Sequence, residues 1–103
     1  MTAVRHTVAF ALPHPPDSAE EAAFLADARR LATIPGVEGF VVLRADGGEL
    51  PLALSMEFAD RDAYAAYDAD PLHRDFVERR WLPTVTAFQE ADFAVVPPPS
   101  ALG

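Results

Sequence analysis

Cysteine is absent from the 103-residue chain, which excludes disulfides, thiolate nucleophiles and Cys-ligated metals. Lysine is absent too; all eight cationic residues are Arg, a bias that carries no functional weight. Sixteen acidic residues against those eight give a net charge of -8. That balance argues against nucleic acid and against an anionic membrane surface as partners. No apolar run approaches membrane-spanning length, and the first residues lack a charged-then-apolar signal, so a cytoplasmic protein is expected. The three histidines form no HxH or HxxxH pair, so no metal site is expected. Phosphate-loop and nucleotide fingerprints are missing, because Gly47-Gly48 reads as a turn, and no cofactor is expected. Ser18 and Ser55 have no triad context.

What is present suffices for one core. Half of the chain is apolar, and the length suits a single domain, expected over 1–96 with a loose proline-rich tail at 97–103. Arg5 to Leu12 alternates His6, Val8, Phe10 and Leu12 against Thr7, Ala9 and Ala11, a strand whose two faces both suit burial. Ser18 and Glu21 form a capping box ahead of Phe24, Leu25, Ala28, Leu31 and Ala32, which recur with helical period. Ile34-Pro35-Gly36-Val37 closes that helix. A second strand spans Glu38 to Arg44, Ala45-Asp46-Gly47-Gly48 turns the chain, and a third strand runs from Leu50 to Phe58. Asp60 caps a helix ending near Ala69, and Asp70-Pro71 starts another that runs to about Leu82. Thr84 to Val96 is the last strand, expected to bend or bulge near Gln89-Glu90.

The order β-α-β-β-α-β predicts an α+β, ferredoxin-like sandwich: a four-stranded antiparallel sheet with helices on one face. Nothing in the chain is left to cover the other face. Its apolar positions therefore predict a homodimer, sheet to sheet, closing an α/β barrel.

Several stretches carry a family resemblance: Arg5-His6-Thr7-Val8-Ala9-Phe10, Ile34-Pro35-Gly36-Val37, Phe58, and Tyr67 followed by Asp70-Pro71-Leu72-His73-Arg74-Asp75-Phe76. Trp81-Leu82-Pro83 and Asp92 complete the pattern. The chain resembles the stress-responsive dimeric α/β-barrel (Dabb) family over nearly its whole length. The resemblance implies the same fold and dimer. It also implies similarity to plant polyketide cyclases of that family, which perform an intramolecular aldol condensation without a cofactor. Their catalytic Tyr and His match Tyr67 and His73, and a His near the start of their first strand matches His6. A further pocket His of theirs falls near Leu52, so this chain lacks it.

The residues themselves support two readings of each candidate. A neutral imidazole, with an ordinary pKa of about 6.5, can take a proton alpha to a carbonyl; His73 suits that role, or else its ring bonds a carbonyl and locks the interhelix kink. Tyr67 can donate to an oxygen becoming an enolate, or pack with its hydroxyl at the rim. His6 can orient a substrate or be a satisfied core group; Tyr64 is read as packing. The expected cavity lining is Val8, Phe10, Phe24, Phe40, Leu52, Leu54 and Met56, suited to an apolar or aromatic small molecule with one or two polar groups. The leading expectation is a cofactor-free enzyme of cyclase or aldol type acting on a polyketide-like or aromatic carbonyl compound. Its alternatives are a non-catalytic, stress-responsive or hydrophobic-ligand-binding protein and a cofactor-independent monooxygenase.

Overall fold

Proline, glycine and aspartate punctuate the chain where the backbone turns. The computed structural model describes residues 2–99. Strand β1 is Val4–Ala11, helix α1 Ala19–Arg29 with a 3-10 turn Arg30–Thr33, β2 Glu38–Arg44 and β3 Leu52–Phe58. Helix α2 is Arg61–Ala69 and α3 Pro71–Phe76; a π turn, Val77–Trp81, joins α3 to the short α4, Leu82–Thr84, and β4 is Ala87–Phe93. The sheet is antiparallel with spatial order β2-β3-β1-β4, and the helices cover one face: a ferredoxin-like fold.

Local chemistry explains the boundaries. Ser18 Oγ accepts from the Glu21 N–H at 3.2 Å, while the Glu21 carboxylate reaches back to the Asp17 N–H at 3.0 Å. The capping box thus closes one residue earlier than the usual form. Buried Glu21 also receives both terminal nitrogens of Arg44, at 2.6 and 3.1 Å, which pins the start of α1 to the end of β2. That guanidinium holds the Glu21 carboxyl below the ordinary carboxylate range. Asp60 caps α2 through the Ala63 N–H, and Asp70 caps α3 through the Leu72 N–H, both at 2.8 Å. Asp70 is extended, as a residue before proline should be.

The expected bulge in the last strand does not occur. β4 pairs with β1 without a break from Arg5↔Phe93 to Ala11↔Ala87. The register shifts instead in β2, between Glu38 and Val41, where Gly39 adopts φ 56°. A glycine accepts that conformation at no steric cost, which the paired Gln89-Glu90 would not. Pro97 to Pro99 form no regular structure; the rest of the expected tail lies outside the described residues.

Alternation on β1 divides the sheet. Val4, His6, Val8 and Phe10 are buried towards the helices, opposite Phe58, Met56, Leu54 and Leu52 of β3. The other face bears Arg5, Thr7 and Ala9, with exposed Val41, Leu43 and Phe93. It is less uniformly apolar than its small residues suggested. Arg5 Nε donates to Ser55 Oγ at 3.0 Å, and Ser55 meets Thr7 Oγ1 at 3.0 Å, so these polar groups satisfy one another.

Candidate functional site

The kink at Asp70-Pro71 sets the site. It turns α3 back on α2 so that the rings of Tyr67 and His73 lie 4.5 Å apart between centroids. His73 Nδ1 donates to the Asp68 carbonyl at 3.1 Å. This bond locks the kink and, in the neutral ring, leaves a lone pair on Nε2. The structural and chemical readings of His73 are therefore compatible.

Tyr67 is 2% exposed, yet among the described residues its hydroxyl has no hydrogen-bond partner and is not sealed from solvent-reachable space. Burial, reinforced by Asp68 and Glu90, holds the phenol protonated well above its ordinary range. It is thus a donor waiting for an acceptor.

His6 sits across the space, on β1. Pairing places Asp92 of β4 beside it, and His6 Nδ1 lies 2.7 Å from Asp92 Oδ1. The Tyr64 hydroxyl donates to the same oxygen at 3.0 Å and lies 2.9 Å from Nδ1. One proton on Nδ1, given to the carboxylate, accounts for the short contact and again leaves Nε2 as the free nitrogen. Tyr64 is fixed further by stacking on Phe58 at 5.1 Å, and its phenol is held neutral by burial and by Asp92.

These groups surround a cavity of about 290 Å³ between helices and sheet, at the small end of the range for small-molecule sites. His6, Tyr67 and His73 line it together with Asp68 and Glu90, and apolar walls come from Leu31, Phe76, Trp81 and Phe88. Of the expected lining residues, Val8, Leu54 and Met56 contribute. Phe10, Phe24, Phe40 and Leu52 do not. Phe10 and Phe24 pack against Trp81 with ring centroids 5.0 and 6.3 Å away, filling the other end of the layer. Leu52 is buried in that filled region opposite Phe10, and Phe40 packs half-buried on β2, beyond the Gly39 irregularity.

Sequence reasoning missed Tyr64, read as packing alone, and the partnership of Asp92. The available signal was period two: Asp92, Glu90 and Phe88 share the inward register with His6, Val8 and Phe10, and a carboxylate there needs a partner. No group of three or more potential metal ligands converges among the described residues, and no helix there is long and apolar enough to cross a membrane.

Comparisons with known proteins agree with this architecture. Residues 4–95 match the stress responsive A/B barrel domain. A Dabb family protein with a ferredoxin-like fold from Mesorhizobium loti is 41% identical, with 94% of this chain and all of that one covered and a TM-score of 0.90. A dimeric ferredoxin-like protein of unknown function from Thermobifida fusca is 21% identical over 91% of this chain and 92% of its own, with a TM-score of 0.76. The hydroxynitrile lyase of Passiflora edulis is similar in fold, with a TM-score of 0.81 at 14% identity over 95% of this chain and 97% of its own. No curated protein matches the chain in sequence.

Proposed function

The chain belongs to the stress-responsive A/B barrel domain family, and from that premise we propose that it is a cofactor-free acid–base enzyme acting on an apolar or aromatic carbonyl compound. The observation that carries the reading is the hydroxyl of buried Tyr67, without a hydrogen-bond partner among the described residues, in one cavity with two imidazoles whose Nδ1 atoms are already engaged. His73 Nε2 takes a proton from the carbon alpha to a carbonyl. The electron pair moves onto the carbonyl oxygen, where Tyr67 donates its hydrogen bond to the enolate. The carbanion then attacks a second carbonyl, as in an aldol or cyclisation step, or is reprotonated. His6, held by Asp92 and Tyr64, orients the second oxygen and can exchange a proton with it.

The working unit is a homodimer joined through the uncovered sheet face. Exposed Val41, Leu43 and Phe93 supply apolar area there, and the Arg5–Ser55–Thr7 cluster enters such an interface already hydrogen-bonded. The dimeric state ascribed to the Thermobifida fusca relative supports this assembly.

Deuterium exchange tests the chemistry without knowledge of the natural substrate. In D2O the protein should speed exchange alpha to the carbonyl of 4-phenylbutan-2-one, followed by proton NMR. His73→Ala should reduce that rate by roughly 100-fold or more, and Tyr67→Phe by a similar factor with its melting temperature little changed. Ketone binding without exchange would favour the ligand-binding alternative, for which the same cavity serves. An unchanged rate in His73→Ala would remove His73 from the chemistry.

A further inference from the structure

The cavity has a sign as well as a shape. Asp68 and Glu90 line it, Asp92 stands directly behind His6, and among the described residues no arginine contributes to its walls. Four of the eight arginines are engaged elsewhere: Arg44 with Glu21, Arg79 with Asp75, Arg80 with Asp27, and Arg5 with Ser55 on the opposite sheet face. We propose that this cavity admits neutral carbonyl compounds and rejects carboxylates and phosphorylated anions of the same shape, with Asp68 and Glu90 setting the discrimination. The inference rests on reading the cavity as the carbonyl site and narrows its substrate class.

The physical basis is a difference in net charge between the two kinds of ligand. A carboxylate brings a full negative charge close to two others at the exposed rim of the cavity, where solvent screens part of the repulsion and leaves a discrimination of modest size. The same Asp68 and Glu90 stand beside Tyr67, where they add to burial in opposing its ionisation to a phenolate. An enolate formed inside the cavity is offset, because the proton lost by the neutral ketone stays beside it on His73 and the net charge does not change. Carboxylates placed here consequently favour internal proton transfer from a neutral substrate over capture of an anion from solvent.

The test uses two probes of one skeleton, 4-phenylbutan-2-one and 3-phenylpropanoate, titrated into the intact protein and followed by amide chemical shifts. At neutral pH the ketone should bind at least roughly tenfold more tightly than the carboxylate. Glu90→Gln, at an exposed position that should tolerate the change, should narrow that ratio by raising carboxylate affinity, and Asp68→Asn should act in the same direction. Equal or tighter binding of the carboxylate, or a ratio that neither variant moves, overturns the inference while leaving the carbonyl site standing. Failure of both probes to perturb the cavity residues overturns the site itself, and the selectivity with it.

Discussion

The two ends of β1 face the same helices and are treated in opposite ways. At Phe10 the layer is filled: this ring is fully buried, lies 5.8 Å from Phe24 and 5.0 Å from Trp81, and Phe24 continues the contact to Phe76. Four residues earlier, at His6, the layer is hollow. There the strand's inward side chain is held by Asp92 on the neighbouring strand and by Tyr64 of α2, and it lines the cavity instead of packing into an aromatic cluster. Trp81 and Phe76 form the wall between the halves, packing on the aromatic side and lining the cavity on the other. Rigidity and accessibility are thus divided along one strand. The filled end holds the helices at a set distance, and that spacing keeps the other end open.

The sharpest way to break this contrast is to empty the filled end. Phe10→Ala should cost about 3–5 kcal/mol, because it removes a ring on which Phe24 and Trp81 both pack and leaves a void they cannot close. A denaturant melt measures it through the midpoint. A loss below about 1 kcal/mol would mean that the two ends are not different in kind.

A smaller effect should follow at the hollow end from Asp92→Ala, about 1 kcal/mol. The cost is limited because the Asp92 side chain is 30% exposed and because His6 and Tyr64, 2.9 Å apart, can still bond to each other. Its specific mark is on the ring of His6. With the carboxylate gone, Nδ1 can become the acceptor for Tyr64, and nitrogen NMR should report a changed tautomer. An unaltered His6 spectrum would show that Asp92 does not set the ring's protonation pattern.

The fold was open to sequence reasoning because its determinants are local. Alternation in β1, the caps Ser18, Asp60 and Asp70, and the glycine turn after β2 each act over a few residues. The Tyr67–His73 approach was legible for the same reason, since Asp70-Pro71 dictates the kink between them. What could not be read was which half of the inner layer would be empty. That depends on volumes contributed by β1, β3, β4, the 3-10 turn after α1, and α2, α3 and α4 together, and on a π turn at Val77–Trp81 with no local sequence marker. Phe10 and Phe24 were expected at the cavity because an apolar inward residue looks the same whether it lines a space or fills one. Asp92 and Glu90 went unassigned because only the β1–β4 register, Cα partner by Cα partner, puts them opposite His6 and Val8.

The subtlest difference between the ends should appear in tyrosine titration, since both tyrosines of the chain lie at the hollow end. Tyr64 and Tyr67 are each held protonated above the ordinary phenol range, by burial first and then by nearby carboxylates. A folded-state pKa raised above its unfolded value contributes stability that is fully present below about pH 10 and is lost as pH rises beyond it. Phenolate absorbance of the native protein should therefore stay flat through pH 10 and rise only together with loss of the near-ultraviolet dichroism of the folded state. Tyr67→Phe should leave neutral-pH stability within about 0.5 kcal/mol, because the hydroxyl it deletes has no hydrogen-bond partner among the described residues, while making the alkaline loss of stability shallower. Ordinary titration near pH 10 without unfolding would place both phenols in water, and the hollow end would then be an open surface rather than a cavity.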